Sequence, residues 1–230
     1  MKVTKTTDRD SAPIIIYCHV AAMRYGQWIF NELYAAIDSS GLLGSVTEFH
    51  ISVVGVKDIF VQAADNIIIH RNNDLVKGEF VTLALLQKRA IETPEARFLY
   101  IHTKGVTSFF NLAVRDWRRY MTFFVVGQHR RCLDALSRSE ACGVDLVKEP
   151  AFHFSGNFWW ARGNYINKLP AISAISDPLA PAILSTRHNA EFWIGMGQGS
   201  LKSMWDSGIN VYTRHRTRYS KAKYIIAKTN

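Results

Sequence analysis

The residues of this sequence that could do chemistry collect where three predicted β-strands end. Cationic side chains there stand beside amide and hydroxyl groups, a combination that can bind a diphosphate and a polar ring through charge-assisted hydrogen bonds. An ordinary exit from a strand into a loop would explain any one of the three clusters, but the three together favour a binding site. The residues are His19, Arg24, Arg71, Asn73, Asp74, His102, Thr103 and Lys104.

The elements that must position these clusters are short apolar segments that alternate with amphipathic ones. Strands are predicted over 13–21, 46–55, 66–73 and 96–102, and helices from Trp28 to Ser39 and over 78–91. Strands that are apolar throughout predict an α/β fold with a mostly parallel central sheet flanked by helices. Because ligands bind outside the carboxyl ends of the strands in such sheets, the three clusters should share one edge.

The second half of the chain predicts fewer regular elements. A long helix is predicted over 114–136, a strand over 141–147, a helix over 187–199 with Glu191 near its first turn, and a last strand over 208–214. Since no tandem repeat or low-complexity linker divides the chain, residues 1–230 are interpreted as one domain.

Composition and missing motifs exclude several classes of protein. Of the 230 residues 48% are hydrophobic and 20% charged, which is typical of a globular chain. No apolar run reaches the roughly 18–20 residues that span a bilayer, and the N-terminal segment lacks the apolar core of a secretory signal. The turn after the first strand has no GxGxxG, and neither a P-loop nor a GxSxG elbow occurs, which argues against a Rossmann dinucleotide site, a P-loop nucleotidase and a hydrolase.

The three cysteines are too few and too scattered for a disulfide framework or a metal knuckle. We therefore expect no disulfide partners and a reducing, cytoplasmic setting. The cysteines are Cys18, Cys132 and Cys142.

The positive charge is concentrated in a basic tail, residues 214–230. Six of the lysines and arginines lie there, which leaves +3 of the formal net charge of +9 for the rest of the chain. Such a tail can contact nucleic acid, a membrane surface or a phosphorylated substrate, or it can be a solvated terminus. Tyr212, Tyr219 and Tyr224 support a nucleic-acid-binding protein as an alternative, because tyrosines can stack on bases.

Several motifs between about Phe98 and Gly195 resemble those of one enzyme family. They are YIHTKG, DWRRYM, SGNFWWA and AEFWIG. In this respect the chain resembles nucleotide-sugar glycosyltransferases of the GT-A type, in particular enzymes of capsule, O-antigen and rhamnan assembly and of large DNA viruses. The resemblance implies a GT-A-like domain that transfers a sugar from a nucleoside diphosphate sugar to a glycan or other hydroxyl acceptor. It implies a donor half over about 13–110, which contains the eight residues above, and an acceptor half over about 111–213.

One departure from the family concerns the metal. Many GT-A enzymes place Asp-x-Asp here to hold Mn²⁺ or Mg²⁺ on the donor diphosphate, and this chain has His102, Thr103 and Lys104 instead. An ammonium group can neutralise a diphosphate directly, so we assign no metal ligand. The alternative, a carboxylate of Asp74 or Asp116 that holds Mn²⁺ or Mg²⁺, stays open.

The resemblance also implies catalytic and acceptor residues. Glu191 lies where inverting enzymes of this type keep the base that deprotonates the acceptor, and Asp116 is the second catalytic candidate. A plain capping role for Glu191 and a binding module without activity are the alternatives. Acceptor binding is predicted for Ser155, Gly156, Asn157, Trp159 and Trp160, with a packed core strand as the alternative for the two tryptophans.

Overall fold

Seven strands form one sheet in a computed structural model that describes residues 12–176 and 186–225. The strands of the chain are β1 (Ile14–Ala21), β2 (Glu48–Val54), β3 (Ile67–Asn72), β4 (Arg97–His102), β5 (Ala141–Gly143), β6 (Leu146–Val147), β7 (His153–Phe154), β8 (Trp159–Arg162) and β9 (Leu201–Ser203). The sheet has the order β3-β2-β1-β4-β8-β5-β9, and β6 and β7 form a separate antiparallel hairpin. Only β8 runs against its neighbours in the sheet, so the predicted mostly parallel sheet is confirmed.

Helices cover both faces of this sheet. They are α1 (Gly26–Ser39), α2 (Glu79–Glu92), α3 (Leu112–Val125), α4 (His129–Ala135), α5 (Gly163–Ile166), α6 (Ile172–Ile175) and α7 (Thr186–Phe192). Ile15 and Tyr17 of β1 share a core cluster with Leu83 of α2, whereas Ile16 and Cys18 lie in the other cluster, with α1 and α3. Because successive strand residues point to opposite faces and both faces are covered, the residues of β1 before His19 are apolar on both faces.

The second half of the chain departs from the prediction in four places. The helix predicted over 187–199 is too long, because α7 ends at Phe192 and is followed by a short 3-10 helix over Trp193–Gly195. The helix predicted over 114–136 is wrong as a single element, because α3 ends at Val125 and α4 begins at His129. The His129 Nδ1 donates to the Val126 carbonyl at 3.0 Å, and a side chain at Gly127 would lie 2.7 Å from the Phe123 carbonyl. The connection therefore turns, and the helix does not continue.

The two remaining departures involve the predicted strands 141–147 and 208–214. The first is split into β5 and β6 near Asp145, whose φ is 48°. The second prediction is wrong: β9 lies earlier, at Leu201–Ser203, and residues 208–214 turn, with φ of 71° at Gly208 and a hydrogen bond from Thr213 N to the Asn210 carbonyl at 3.1 Å. Across the described residues no helix is long and apolar enough to cross a membrane. Cys18, Cys132 and Cys142 are buried free thiols.

Candidate active site

The pairing of β1 with β4 brings two of the predicted clusters together. His19 and His102 lie opposite one another in the parallel register. Thr103 then ties the two strand ends: its N–H donates to the His19 carbonyl at 2.9 Å, and its Oγ1 accepts from Ala21 N at 2.9 Å. The hydroxyl oxygen of Thr103 thus accepts a hydrogen bond from the backbone of β1. These two hydrogen bonds fix the direction in which the chain continues to Lys104.

A buried carboxylate that the sequence analysis did not select lies at the centre of this edge. Glu79 is the first residue of α2, and its Oε2 accepts from the Tyr100 hydroxyl at 2.9 Å and from Asn157 Nδ2 at 2.8 Å. Its Oε1 lies 3.8 Å from His102 Nδ1. The sequence signal that could have identified Glu79 is its position in the first turn of a predicted helix, where the helix dipole favours a negative charge.

The charges around Glu79 decide its ionisation. Burial by itself raises the pKa of Glu79, but His102, His19 and Lys104 and the hydrogen bond from Tyr100 lower the pKa to about 2. Glu79 is therefore an anion at neutral pH. Its hydrogen bonds with Tyr100 and Asn157 connect α2, β4 and the segment before β8.

His102 is oriented from two sides. Its Nε2 lies 3.0 Å from the Gly156 carbonyl, which can only accept, so Nε2 carries a proton. Burial lowers the pKa of His102, although the neighbouring Glu79 acts in the opposite direction. The ring of His19 is fixed in a similar way, with Nδ1 2.9 Å from Thr82 Oγ1.

Lys104 meets the predicted base. Its Nζ lies 3.6 Å from Glu191 Oε1 and 4.1 Å from the centre of the Trp117 ring, and its side chain is 12% exposed. The predicted position of Glu191 in a first helical turn is wrong, because Glu191 is the sixth residue of α7, near its C-terminal end. The helix dipole disfavours a carboxylate at that end, and Lys104 supplies the compensating positive charge.

The segment Ser155–Asn157 passes directly beside these residues. Gly156 has φ of 95°, and a Cβ there would lie 2.4 Å from Met121 Sδ and 3.0 Å from Trp117 Cε2, so only glycine fits. The Asn157 side chain is fully used inside the protein: it donates to Glu79 and to the Ala190 carbonyl, and it accepts from an indole N–H. Asn157 therefore shapes the turn, and its predicted contact with an acceptor is not supported.

Two buried polar atoms of Trp117 and the 155–157 turn have no hydrogen-bond partner among the described residues. They are Ser155 Oγ and Trp117 Nε1. The Trp117 ring contacts the Lys104 ammonium on one face and packs against the Gly156 backbone, so both atoms belong to the same part of the site. Because an unpaired buried donor costs about 1–3 kcal/mol, such atoms are expected where a ligand supplies the missing partner.

The predicted role of Trp159 and Trp160 in acceptor binding is not supported. Both side chains are completely buried, on opposite faces of the sheet. Trp159 Nε1 donates to Asn157 Oδ1 at 2.8 Å, and Trp160 Nε1 donates to the Val125 carbonyl at 2.7 Å. Of the two alternatives for Trp159 and Trp160, the structure therefore has the packed core strand.

The predicted site residues at the end of β3 and directly after it lie at the same edge of the sheet but apart from Lys104. Two strands separate β3 from β4, which places their ends roughly 14 Å apart at about 4.8 Å per strand. Arg71 and Asn73 are exposed, and the Asp74 carboxylate caps a short 3-10 helix by accepting from Val76 N at 3.0 Å. Arg24 is exposed as well, with its guanidinium 5.2 Å from the centre of the Tyr25 ring.

Asp116 and the described part of the basic tail form ion pairs with each other. Asp116 Oδ2 accepts from Arg218 Nε at 2.5 Å, so its carboxylate is already paired and its catalytic role is not supported. Arg214 is buried and pairs with Asp145 Oδ2 at 3.0 Å. Tyr219 and Tyr224 are buried in the core beneath α3, which leaves Tyr212 as the exposed tyrosine of the three proposed for base stacking.

The carboxylates of this site do not offer an open metal site. Within 12–176 and 186–225 no group of three or more His, Cys, Asp or Glu side chains could hold a metal ion. Glu79 is bonded to Tyr100 and Asn157, and Glu191 is paired with Lys104. A hard cation such as Mn²⁺ or Mg²⁺ would have to displace these partners, so the residues present do not fit such an ion.

Comparison with known families matches residues 51–196 to a family described as "Domain of unknown function (DUF8361)". The chain belongs to this family. The matched residues of this DUF8361 chain include Glu79, the 102–104 segment, the 155–157 turn and Glu191, whereas His19 and the basic tail lie outside the match.

Two further comparisons concern individual proteins. The chain has no significant match among curated proteins. A crystal structure of 4-diphosphocytidyl-2C-methyl-D-erythritol synthase is similar to it with a TM-score of 0.41 and 10% sequence identity, over 94% of this chain and 97% of that chain. A similarity at this level carries no argument about the present chain.

Proposed function

We propose that this protein is a glycosyltransferase that moves a sugar from a nucleoside diphosphate sugar to a hydroxyl group of a glycan or another acceptor, in the cytoplasm. The observation that carries the proposal is the arrangement around Lys104. A nearly buried ammonium group lies 3.6 Å from Glu191 Oε1 and over the ring of Trp117, whose buried Nε1 has no hydrogen-bond partner among the described residues, at the carboxyl edge of the sheet. Ligands of open α/β sheets bind at this edge.

Lys104 would bind the diphosphate of the donor. Its charge is now shared with Glu191 at 3.6 Å, so a diphosphate oxygen would compete for it. The Ser155 hydroxyl and the Trp117 indole N–H would then donate to the ligand, which supplies the partners that they lack in the free protein. Lys104 belongs to the predicted donor half of the chain, whereas Trp117 and Ser155 belong to the predicted acceptor half. The division of the chain into these two halves stays a prediction.

Glu191 would act as the general base. The acceptor hydroxyl gives its proton to the Glu191 carboxylate while its oxygen forms a bond to the anomeric carbon of the donor sugar. The bond between that carbon and the diphosphate oxygen breaks, and the nucleoside diphosphate leaves with the electron pair. Lys104, as the residue proposed to bind the diphosphate, would neutralise the negative charge that develops on this leaving group.

The two roles can be separated by two substitutions. Glu191→Gln should keep or raise donor affinity, because the diphosphate no longer competes with a carboxylate for Lys104. It should lose on the order of 10²–10⁴ in turnover, because the amide cannot accept the proton. Lys104→Ala should weaken donor binding on the order of 10- to 100-fold, the loss of a charge-assisted contact. Donor affinity is measured by calorimetry with a panel of nucleoside diphosphate sugars, and turnover by release of the nucleoside diphosphate.

Matched controls are available on α2. Lys88→Ala and Glu92→Gln change exposed residues of the same types and should leave both quantities unchanged. Donor affinity that is unaltered in Lys104→Ala would contradict the proposed donor site. Donor binding by the wild-type protein without any turnover would instead indicate a binding module, and binding of none of the donors would reject the proposal.

A further inference from the structure

One end of the molecule carries exposed aromatic side chains from three different segments. Trp28 lies in the first turn of α1, which follows β1, and is 47% exposed; Phe60 lies in the loop after β2 and is 77% exposed; Phe110 lies in the loop after β4 and is 79% exposed. Since β1, β2 and β4 are parallel, all three segments follow the same carboxyl edge of the sheet. Large apolar side chains that are exposed together in this way mark interaction surfaces.

Contacts between the loops hold these side chains together. The Gln27 side chain donates to the Phe60 carbonyl at 3.0 Å and accepts from Phe60 N at 2.6 Å. The ring of Phe109 contacts the edges of Trp28 and Phe110, at 4.9 and 5.3 Å between ring centres. The three exposed aromatics therefore form one surface, which we call the aromatic edge (Trp28, Phe60, Phe110).

Positively charged side chains lie around the aromatic edge. Arg24 is exposed and precedes α1, and Lys57 is exposed in the loop that contains Phe60. Arg216 is exposed too, and its neighbour His215 accepts a hydrogen bond through its carbonyl from Asn111 Nδ2 at 3.0 Å, next to Phe110. Asp58 is an exposed acid in the same loop as Lys57 and offsets one of these charges.

We propose that the aromatic edge docks on the surface of an anionic lipid bilayer. Aromatic side chains would enter the interfacial region, and Arg24, Lys57 and Arg216 would contact lipid phosphates and carboxylates. The assignment does not depend on the proposed activity. It places the carboxyl edge of the sheet, where Lys104 lies, towards the membrane.

The geometry favours a bilayer over nucleic acid or sugar. The flat faces of Tyr25 and Phe109 are stacked on each other with 4.0 Å between ring centres, and the Arg24 guanidinium lies over the Tyr25 ring. The covered faces of Tyr25 and Phe109 therefore cannot stack on a base or a sugar ring, which needs an open aromatic face. Protruding aromatic side chains with cations around them are suited to a soft interface that they can enter.

The test is co-sedimentation of the full chain with two kinds of vesicle, phosphatidylcholine alone and phosphatidylcholine with phosphatidylserine. The wild type should bind the anionic vesicles more strongly. Phe110→Ser and Phe60→Ser should each lower the partition coefficient on the order of tenfold, since each removes a large apolar contact. Arg24→Gln should lower it about fivefold, as expected for one charge near an anionic surface.

Matched controls lie at the other end of the sheet. Ile91→Ser removes an apolar side chain that is 65% exposed near the C-terminal end of α2, and Lys88→Gln removes an exposed charge of the same helix. Both should bind anionic vesicles like the wild type. Equal losses in Ile91→Ser and Phe110→Ser, equal binding to both kinds of vesicle, or stronger Phe110-dependent binding to single-stranded DNA would each overturn the proposal. Thermal unfolding shows whether each variant is folded. If Phe110→Ser does not fold, Phe60→Ser is the variant that tests the proposal.

Discussion

Replacement of Glu79 by glutamine should destabilise the protein in a way that depends on pH. The pKa of Glu79 is about 2, against an ordinary value of 4.5. At about 1.4 kcal/mol per pKa unit, the folded protein stabilises this carboxylate by on the order of 3 kcal/mol. Glutamine keeps an oxygen that can accept from Tyr100 and Asn157, so the substitution removes chiefly the charge that faces His102, His19 and Lys104.

The sign of the pH dependence follows from the lowered pKa. The stabilisation is fully present above pH 4.5, where the carboxylate is ionised in the folded and the unfolded chain, and it is lost as the pH falls towards 2. The difference in unfolding free energy between the wild type and Glu79→Gln should therefore rise as the pH falls from neutral and His102 becomes protonated beside Glu79, and it should shrink below about pH 4.5 as Glu79 itself is protonated. Urea unfolding followed by tryptophan fluorescence over this range measures it.

Glu92→Gln is the control, because the Glu92 side chain is 49% exposed and its pair with Arg89 lies at the surface. Its effect should stay below about 1 kcal/mol. A Glu79→Gln effect that is as small as this, or one that does not change between pH 7 and pH 3, would refute the reasoning that Glu79 is a buried anion stabilised by Lys104, by His102 once it is protonated, and by hydrogen bonds.

Three further outcomes are expected. Gly156→Ala should lower stability by about 2–3 kcal/mol in urea unfolding, because the turn has φ of 95° and the methyl group would meet Met121; an unchanged midpoint would show that the turn can relax. Arg214→Gln should lower stability by about 3–5 kcal/mol, since Asp145 would be left as a buried unpaired charge. Arg218 is half-exposed, so Arg218→Gln should lower stability by less than about 1 kcal/mol. Similar effects of the two substitutions would argue against the buried pair. Glycosyl transfer should persist in EDTA, and activity that EDTA abolishes and Mn²⁺ restores would contradict donor binding by Lys104 without a metal.

Elements of the first hundred residues could be predicted from the sequence because their signals are local. The apolar run before His19 and the apolar stretch before His102 each specify a strand with two buried faces, and the amphipathic segment after Gly78 specifies α2. Parallel pairing then follows from the alternation of strands and helices, and it places His19 beside His102. The meeting of polar strand ends at one edge was thus contained in the sequence pattern.

The second half was less predictable, since its elements are short and depend on contacts with distant residues. Asp145 adopts a left-handed conformation between β5 and β6 while it pairs with Arg214, which is far away in the chain. The small polar residues before Trp159 and Trp160 fit a sugar-binding loop as well as a core strand, so the sequence could not show that the two side chains are buried. Both are buried because β8 lies between β4 and β5. Local patterns carry no information about such partners.

The composition of the site itself was decided by tertiary structure. Local sequence selected Lys104 and Glu191 as polar residues but could not show that they meet at 3.6 Å, because their contact joins the end of β4 to α7. Glu79 has no motif of its own, and it becomes a buried anion only when the fold places His102 and Asn157 around it. A strand or helix can be predicted from the residues inside it, whereas the burial and charge of a polar side chain depend on neighbours that only the folded chain supplies.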